Sequence, residues 1–419
     1  MDPEVENART RLFEKKEAWL ALSPHERARL LDAVASAIAS VAAEWAAAHG
    51  GEWRDGPVAA IRHARLLASA QRTPHGPRTI LRTRRDGRVV ARIVAPSFAS
   101  RAAHGVTSDV WIEPGKSATF AGIKAPGGVR LVADRSAAVL DVLYTLFAEN
   151  ELAVVTAAGD EASPTARALA PLVTAGWVAL VEADADADAA SPFDPLTHAR
   201  AVLILPGPWS DRDVAYQAEH VARVVGRARL AGAPAPLPLV TAQSWLQRKA
   251  FLRALGAVAT IDGAFAEVAL DADEHGHADV PTFLSRCVTR ANDIEGASRG
   301  SVMVLVHPAT SDEHDGALRE AYAALRFAAV GVNTEPDLVH GPETRLFEHP
   351  EKIVLQGPFR PRLAPADGRA LVALEATPSL GRLVAALRSG TSRSPSASLA
   401  RASGDANDAV GGDRTGERP

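Results

Sequence analysis

Cys287 is the one cysteine of this 419-residue chain and the residue type best suited to covalent catalysis. A nucleophilic thiol needs partial exposure and a positive charge or helix N-terminus nearby, so that the thiolate forms. Cys287 instead falls in the series Val280, Phe283, Leu284, Cys287, Val288, Ala291, an apolar stripe at helical spacing, where a cysteine serves as a small hydrophobe. The densest set of possible metal ligands is Asp271, Asp273, Glu274, His275, His277 and Asp279. Alternating histidines can share a metal and carboxylates suit hard cations, but a charged loop between a strand and a helix has the same composition. No metal ligand is assigned on ligand types alone. Gly115-Lys116-Ser117 has the ending of a phosphate-binding loop, yet Val110 stands where the first glycine is required and no helical pattern follows. Neither a G-x-G-x-x-G fingerprint nor a G-x-S-x-G elbow occurs.

A further chemical feature is a run of arginines, Arg78, Arg82, Arg84, Arg85, Arg88 and Arg92. They stud a hairpin in which Thr79–Leu81 and Val89–Ala91 flank the turn signal Asp86-Gly87. Base-stacking aromatics are missing there and the net charge of the whole chain is −4, so nucleic acid is not expected as a partner. Arginines on the solvent face of an edge hairpin are the plainer reading.

The elements that would position these residues follow from composition and periodicity. A chain that is 47% hydrophobic and 23% charged is globular, and its length suits more than one domain. One cysteine excludes an intramolecular disulfide and any cysteine-rich metal site. The acidic start Met1-Asp2-Pro3-Glu4 lacks the features of a secretion signal, and no run of about 18 consecutive apolar residues occurs. A cytoplasmic protein without a membrane span is the expectation.

Ser23-Pro24-His25-Glu26 is a capping box, and Leu30, Leu31, Val34, Ile38, Val41 and Trp45 form one helical stripe that His49-Gly50-Gly51 ends. Beyond Gly127, apolar runs at 129–132, 152–155, 178–181 and 202–205 read as buried strands, with helices at 139–149 and 162–175 between the first three. A second series comprises a helix at 211–229, a strand near Leu239, a helix from Ser244, a strand at 267–270, a helix at 281–293, a strand at 302–307 and a helix around 315–327. The fold class is therefore α/β, with two layers in tandem. The Asp/Ala alternation at 183–190 reads as a solvated loop, and the Ser/Gly-rich tail from 389 as disordered.

Six stretches, in order, resemble a divergent bacterial branch of the aldehyde dehydrogenase superfamily. They are Asp109–Gly115, Asp141–Phe147, Leu205–Asp211, Val306–Thr310, Leu325–Phe327 with Gly331–Asn333, and His349–Lys352 with Gly357–Arg360. The resemblance runs from about residue 10 to 365. It implies a Rossmann-like NAD(P)-type domain over 1–207, a catalytic-type α/β domain over 208–330, and a return and oligomerisation segment over 331–388, followed by the tail 389–419. The family oxidises aldehydes through a thiohemiacetal on cysteine, with hydride passing to NAD(P).

The positions that carry this chemistry in the family are changed here. Ungapped counting from Pro206 puts Ala233 at the catalytic cysteine and Pro195 at the glutamate. Thr156 takes the place of the cofactor-contacting lysine, and Ala133-Asp134-Arg135-Ser136 holds no oxyanion asparagine. The chain between Val181 and Val202 is too short for the strand, turn and helix that cradle the cofactor's phosphates. The resemblance thus implies a degenerate member with no assignable catalytic residue. Its retained role would be structural, as a homo-oligomer or paired with a related protein. An active NAD(P)-dependent oxidoreductase with a rearranged site is the alternative, and a metal or binding module built on 271–279 is a third.

Overall fold

The computed structural model describes residues 2–48, 53–73, 79–94, 106–120, 128–133, 138–157, 163–182, 199–230, 237–241, 245–256, 265–269, 280–294, 297, 300–334, 347–357, 359 and 368–376. The 183–190 and 271–279 segments, Ala233, Pro195, residues 49–51 and 134–136, and the tail lie outside them.

The N-terminal helices are α1 (Pro3–Glu14), α2 (Lys16–Ala21), α3 (Pro24–Ala48) and α4 (Ala59–Arg72). The capping box forms as expected: the Ser23 N–H and hydroxyl donate to Glu26 Oε2 at 2.8 and 2.7 Å, and the Glu26 N–H returns a bond to Ser23 Oγ at 3.3 Å. By length and composition α3 could cross a membrane. Its stripe of Leu31, Val34, Ile38, Val41 and Trp45 is instead buried in the main core, where α3 packs on α4 and on the later helix Pro164–Thr174.

Two sheets follow. The smaller holds β4 (Val129–Ala133), β5 (Leu152–Ala157) and β6 (Val178–Glu182), all parallel and in the spatial order β4-β5-β6. Helices α5 (Ala138–Phe147) and α6 (Pro164–Thr174) make the crossovers. Every residue of α5 is buried, as its almost wholly apolar sequence demands.

The larger sheet has nine strands in the order β1-β2-β3-β12-β11-β10-β7-β8-β9. Its members are β1 (Thr79–Thr83), β2 (Val89–Ile93), β3 (Thr107–Ile112), β7 (Ala199–Ile204), β8 (Leu237–Thr241), β9 (Phe265–Ala269), β10 (Ser301–Leu305), β11 (Ala329–Val332) and β12 (Pro350–Gln356). Strands β12 through β9 run parallel, while β3, β2 and β1 continue antiparallel. The strand after β6 therefore does not extend the first sheet: β7 pairs with β10 on one side and β8 on the other. Residues 199–204 thus pair in the second layer, although they lie within the span 1–207 of the expected first domain.

Helices α7 (Asp211–Leu230), α8 (Lys249–Gly256), α9 (Val280–Asn292), α10 (Pro308–Ala324) and α11 (Gly368–Ala376) complete the described elements. The central strands are buried on both faces. Along β10, Val302 and Val304 join the core that includes residues of α9 and α10, whereas Met303 and Leu305 join the one formed with α7 and α8. Helix α10 begins at Pro308, seven residues before the expected start, because His307 caps it: the Ala309 N–H donates to His307 Nδ1 at 3.2 Å.

Candidate functional site

Most of the family-like stretches converge on the second sheet. Leu205–Asp211 joins β7 to α7, Val306–Thr310 joins β10 to α10, Gly331–Asn333 ends β11, and Gly357 and Phe359 follow β12. All four follow parallel strands, so they gather at one edge of the sheet, beyond the strands' carboxyl ends.

Backbone and side-chain bonds lock this edge. Thr310 Oγ1 donates to the Pro206 carbonyl at 2.8 Å and Trp209 Nε1 to the Leu205 carbonyl at 2.9 Å. A Cβ on Gly207 would stand 2.7 Å from His307 Cβ and 2.9 Å from Thr310 Oγ1, so only glycine lets the two loops approach this closely. Ser210 and Asp213 cap α7 reciprocally, with the Asp213 N–H donating to Ser210 Oγ at 3.2 Å and the Ser210 N–H to Asp213 Oδ2 at 3.3 Å. Gln217 Nε2 donates to the Phe359 carbonyl at 3.1 Å. The rings of Trp209, His307 and Phe359 meet pairwise at centroid distances of 5.5, 5.6 and 5.2 Å, and Trp245 stands edge-on beneath Trp209 at 5.2 Å.

The chain's only thiol is elsewhere. Cys287 lies in α9, 1% exposed, in the core with Phe283, Leu284, Val302, Val304 and Leu318. Burial pushes its pKa up to about 12. The sequence reading of Cys287 as a packing residue describes its environment well. A protonated sulfur without access to solvent is no nucleophile.

The smaller sheet is where an NAD(P) site of the expected kind would lie. Dinucleotide sites lie where strand order reverses, because the diverging crossovers open a crevice there. Strands β4, β5 and β6 advance in one direction, so among the described residues this sheet contains no reversal. Thr156, near the end of β5, is a buried residue without the ammonium that resemblance requires at this position. The described residues do not fit the cofactor. Among them there is also no group of three or more His, Cys, Asp or Glu side chains that could hold a metal ion.

The remaining motifs have structural roles. Gly115-Lys116-Ser117 is a turn after β3 with Gly115 at φ +74°, whose N–H donates to the Gly87 carbonyl at 3.2 Å. Three of the hairpin arginines are engaged within the chain, and Arg78 lies outside the described residues. Arg92 holds Asp109 through two bonds of 2.6 and 2.7 Å, Arg88 holds Glu351 at 2.5 and 3.0 Å, and Arg84 reaches Asp86 and Glu320 while lying over Trp111. Asp109 and Glu351 had appeared in the sequence only as parts of motifs; their pairing with arginines across strands has no local signal.

No protein-family model matches the sequence, and no curated protein matches it in sequence. Among the solved structures similar to this chain are several aldehyde dehydrogenases. One is the lactaldehyde dehydrogenase from Escherichia coli, 12% identical, with a TM-score of 0.42 over 80% of this chain and 84% of that one. A second is a salicylaldehyde dehydrogenase from Pseudomonas putida G7, 12% identical, TM-score 0.47, covering 86% and 91%. A third is the glyceraldehyde-3-phosphate dehydrogenase from Methanocaldococcus jannaschii, 10% identical, TM-score 0.46, covering 84% and 94%.

Proposed function

We propose that this chain is a divergent aldehyde dehydrogenase-type protein that has lost thiol-dependent aldehyde oxidation and is retained, in the cytoplasm, for a structural role. The observation that carries the reading is Cys287: the one sulfur nucleophile of the whole sequence is sealed in a helix under the second sheet. Covalent catalysis by this family's route has no other group to use, and loss of such a nucleophile removes several powers of ten in rate. The ordered motifs at the ends of β7, β10, β11 and β12 support the scaffold half of the proposal, and the unreversed order β4-β5-β6 supports loss of the cofactor site.

The structural role is pairing with a second copy or with an active relative. Strand β1 is an edge of the nine-stranded sheet, and its Ile80 and Leu81 are 50% and 56% exposed. An edge with apolar side chains and open backbone groups is a template for another strand.

The test is NAD- and NADP-linked oxidation of a panel of aliphatic and aromatic aldehydes, followed as NAD(P)H. The expected result is no formation above the protein-free rate. Turnover that Cys287→Ala abolishes would restore thiol catalysis, and turnover that survives Cys287→Ala would establish an active rearranged site.

A further inference from the structure

The second sheet contains the reversal that the first lacks. From β7 the chain moves outward through β8 to β9, then returns to the other flank of β7 with β10 and continues through β11 to β12. The reversal therefore lies between β7 and β10. Crevices beyond the carboxyl ends of strands at such a point are where open α/β sheets bind ligands. Ala233, where resemblance places the family's nucleophile, precedes β8 in the chain, whereas this edge follows the strands.

What occupies this edge has the composition of a binding surface. Trp209, His307 and Phe359 form a trio of rings, each half-buried and each partly open to solvent. Because His307 Nδ1 accepts the Ala309 N–H, Nε2 carries the proton of the neutral ring, and it has no acceptor among the described residues. Gln217 is 0% exposed and spends its Nε2 on the Phe359 carbonyl, while its Oε1 has no hydrogen-bond partner among the described residues. A buried acceptor left unmatched is uncommon. The first turn of α10 carries no acidic residue, so its N-terminal dipole is uncompensated beside the imidazole.

We infer that the β7/β10 switch point is a small-molecule site for a planar aromatic carboxylate, its ring against Trp209 and Phe359 and its carboxylate on His307 Nε2. The planar rings select a flat ligand, the imidazole donor and the α10 terminus select an anion, and Gln217 Oε1 would accept from a ring hydroxyl or a retained water. This site goes beyond the proposed function and stands or falls separately from aldehyde oxidation.

The test uses benzoate as the probe, with cyclohexanecarboxylate as a non-planar control of equal charge, followed by saturation-transfer NMR on the full chain. Wild type is expected to bind benzoate saturably in the millimolar range, a reasonable affinity for so few atoms. Binding of the control should be at least about tenfold weaker, equivalent to about 1.4 kcal/mol. His307→Asn keeps an N-cap acceptor for α10 and so preserves folding. It should leave the thermal midpoint unchanged while weakening benzoate at least about tenfold. Trp209→Phe, which retains a ring but removes the indole, should weaken it to a smaller degree. Absence of saturable benzoate binding to wild type, equal affinity for the two carboxylates, or undiminished affinity in folded His307→Asn would each overturn the site.

Discussion

Asn333 and Val306 hold each other by two hydrogen bonds: the Val306 N–H donates to Asn333 Oδ1 at 2.8 Å, and Asn333 Nδ2 donates to the Val306 carbonyl at 2.9 Å. Asn333 sits at φ 51°, a left-handed conformation that asparagine tolerates better than most residues. Its side-chain amide acts as one more residue of β11 facing β10, and it fixes the backbone that leads directly into His307. Asn333→Ala removes both bonds and leaves the strained backbone. It is expected to destabilise the chain by about 2–3 kcal/mol in urea unfolding. Asn333→Gly, which relieves the backbone but not the lost bonds, should cost less than Asn333→Ala.

A second prediction concerns a buried cation. Arg27 is 1% exposed; its Nη1 donates to Asn150 Oδ1 at 2.8 Å and its Nη2 to the Trp19 carbonyl at 2.9 Å, with the guanidinium over the Trp19 ring. Burial lowers its pKa to about 10. Trp19 Nε1 shares the same Asn150 oxygen at 2.8 Å. Asn150→Ala therefore removes one hydrogen bond of a buried cation and leaves an indole N–H unmatched, and a loss of about 2–4 kcal/mol is expected from denaturant unfolding. Asn150→Asp, which keeps an acceptor, should cost markedly less.

Much of the two parallel layers was legible in the sequence because their strands contain short apolar runs and some of their helices carry their own caps, as at Ser163-Pro164 and Ser210 with Asp213. What was not legible is pairing over distance. Nothing local in Val202–Ile204 says that its neighbours are β10 and β8 rather than β6, and nothing in Ile353 announces Val110 opposite it. The Ala-rich helix Ala59–Arg72 lacks the side-chain cap that marked α3, so no start signal disclosed it. For the site, Cys287 was readable as a packing residue from its apolar stripe, whereas the meeting of Trp209, His307 and Phe359 depends on strand order alone.

Lys352 supplies a third prediction. Its ammonium donates to the carbonyls of Tyr322, Ala323 and Leu325, closing the end of α10. Desolvation depresses its pKa despite the opposing Glu351. Lys352→Met keeps the volume but leaves those carbonyls unmatched, and should lower stability by about 1–3 kcal/mol. Because the native lysine releases its proton at a lower pH than the unfolded one, its own contribution favours folding more as pH rises toward 10.5. The stability difference between wild type and Lys352→Met should widen accordingly.

Cys287 acts in the opposite sense. Its native pKa is raised from 9.0 to about 12, so the unfolded chain loses the thiol proton first. The contribution is fully present below pH 9.0 and is lost as pH climbs toward about 12, at about 1.4 kcal/mol per unit. Stability of wild type relative to Cys287→Ala should be flat near neutrality and fall above pH 9.0. A disulfide-exchange reagent should find no reactive thiol in the native chain at neutral pH and one equivalent after denaturation.

Among the described residues the parallel sheet of β4, β5 and β6 has no reversal of strand order, and the proposed function therefore has this chain bind no dinucleotide. Isothermal titration of the full chain with NAD and, separately, NADP tests it most directly. No saturable heat is expected with either nucleotide up to the millimolar range. A saturable heat with a micromolar dissociation constant for either one would contradict the proposed function.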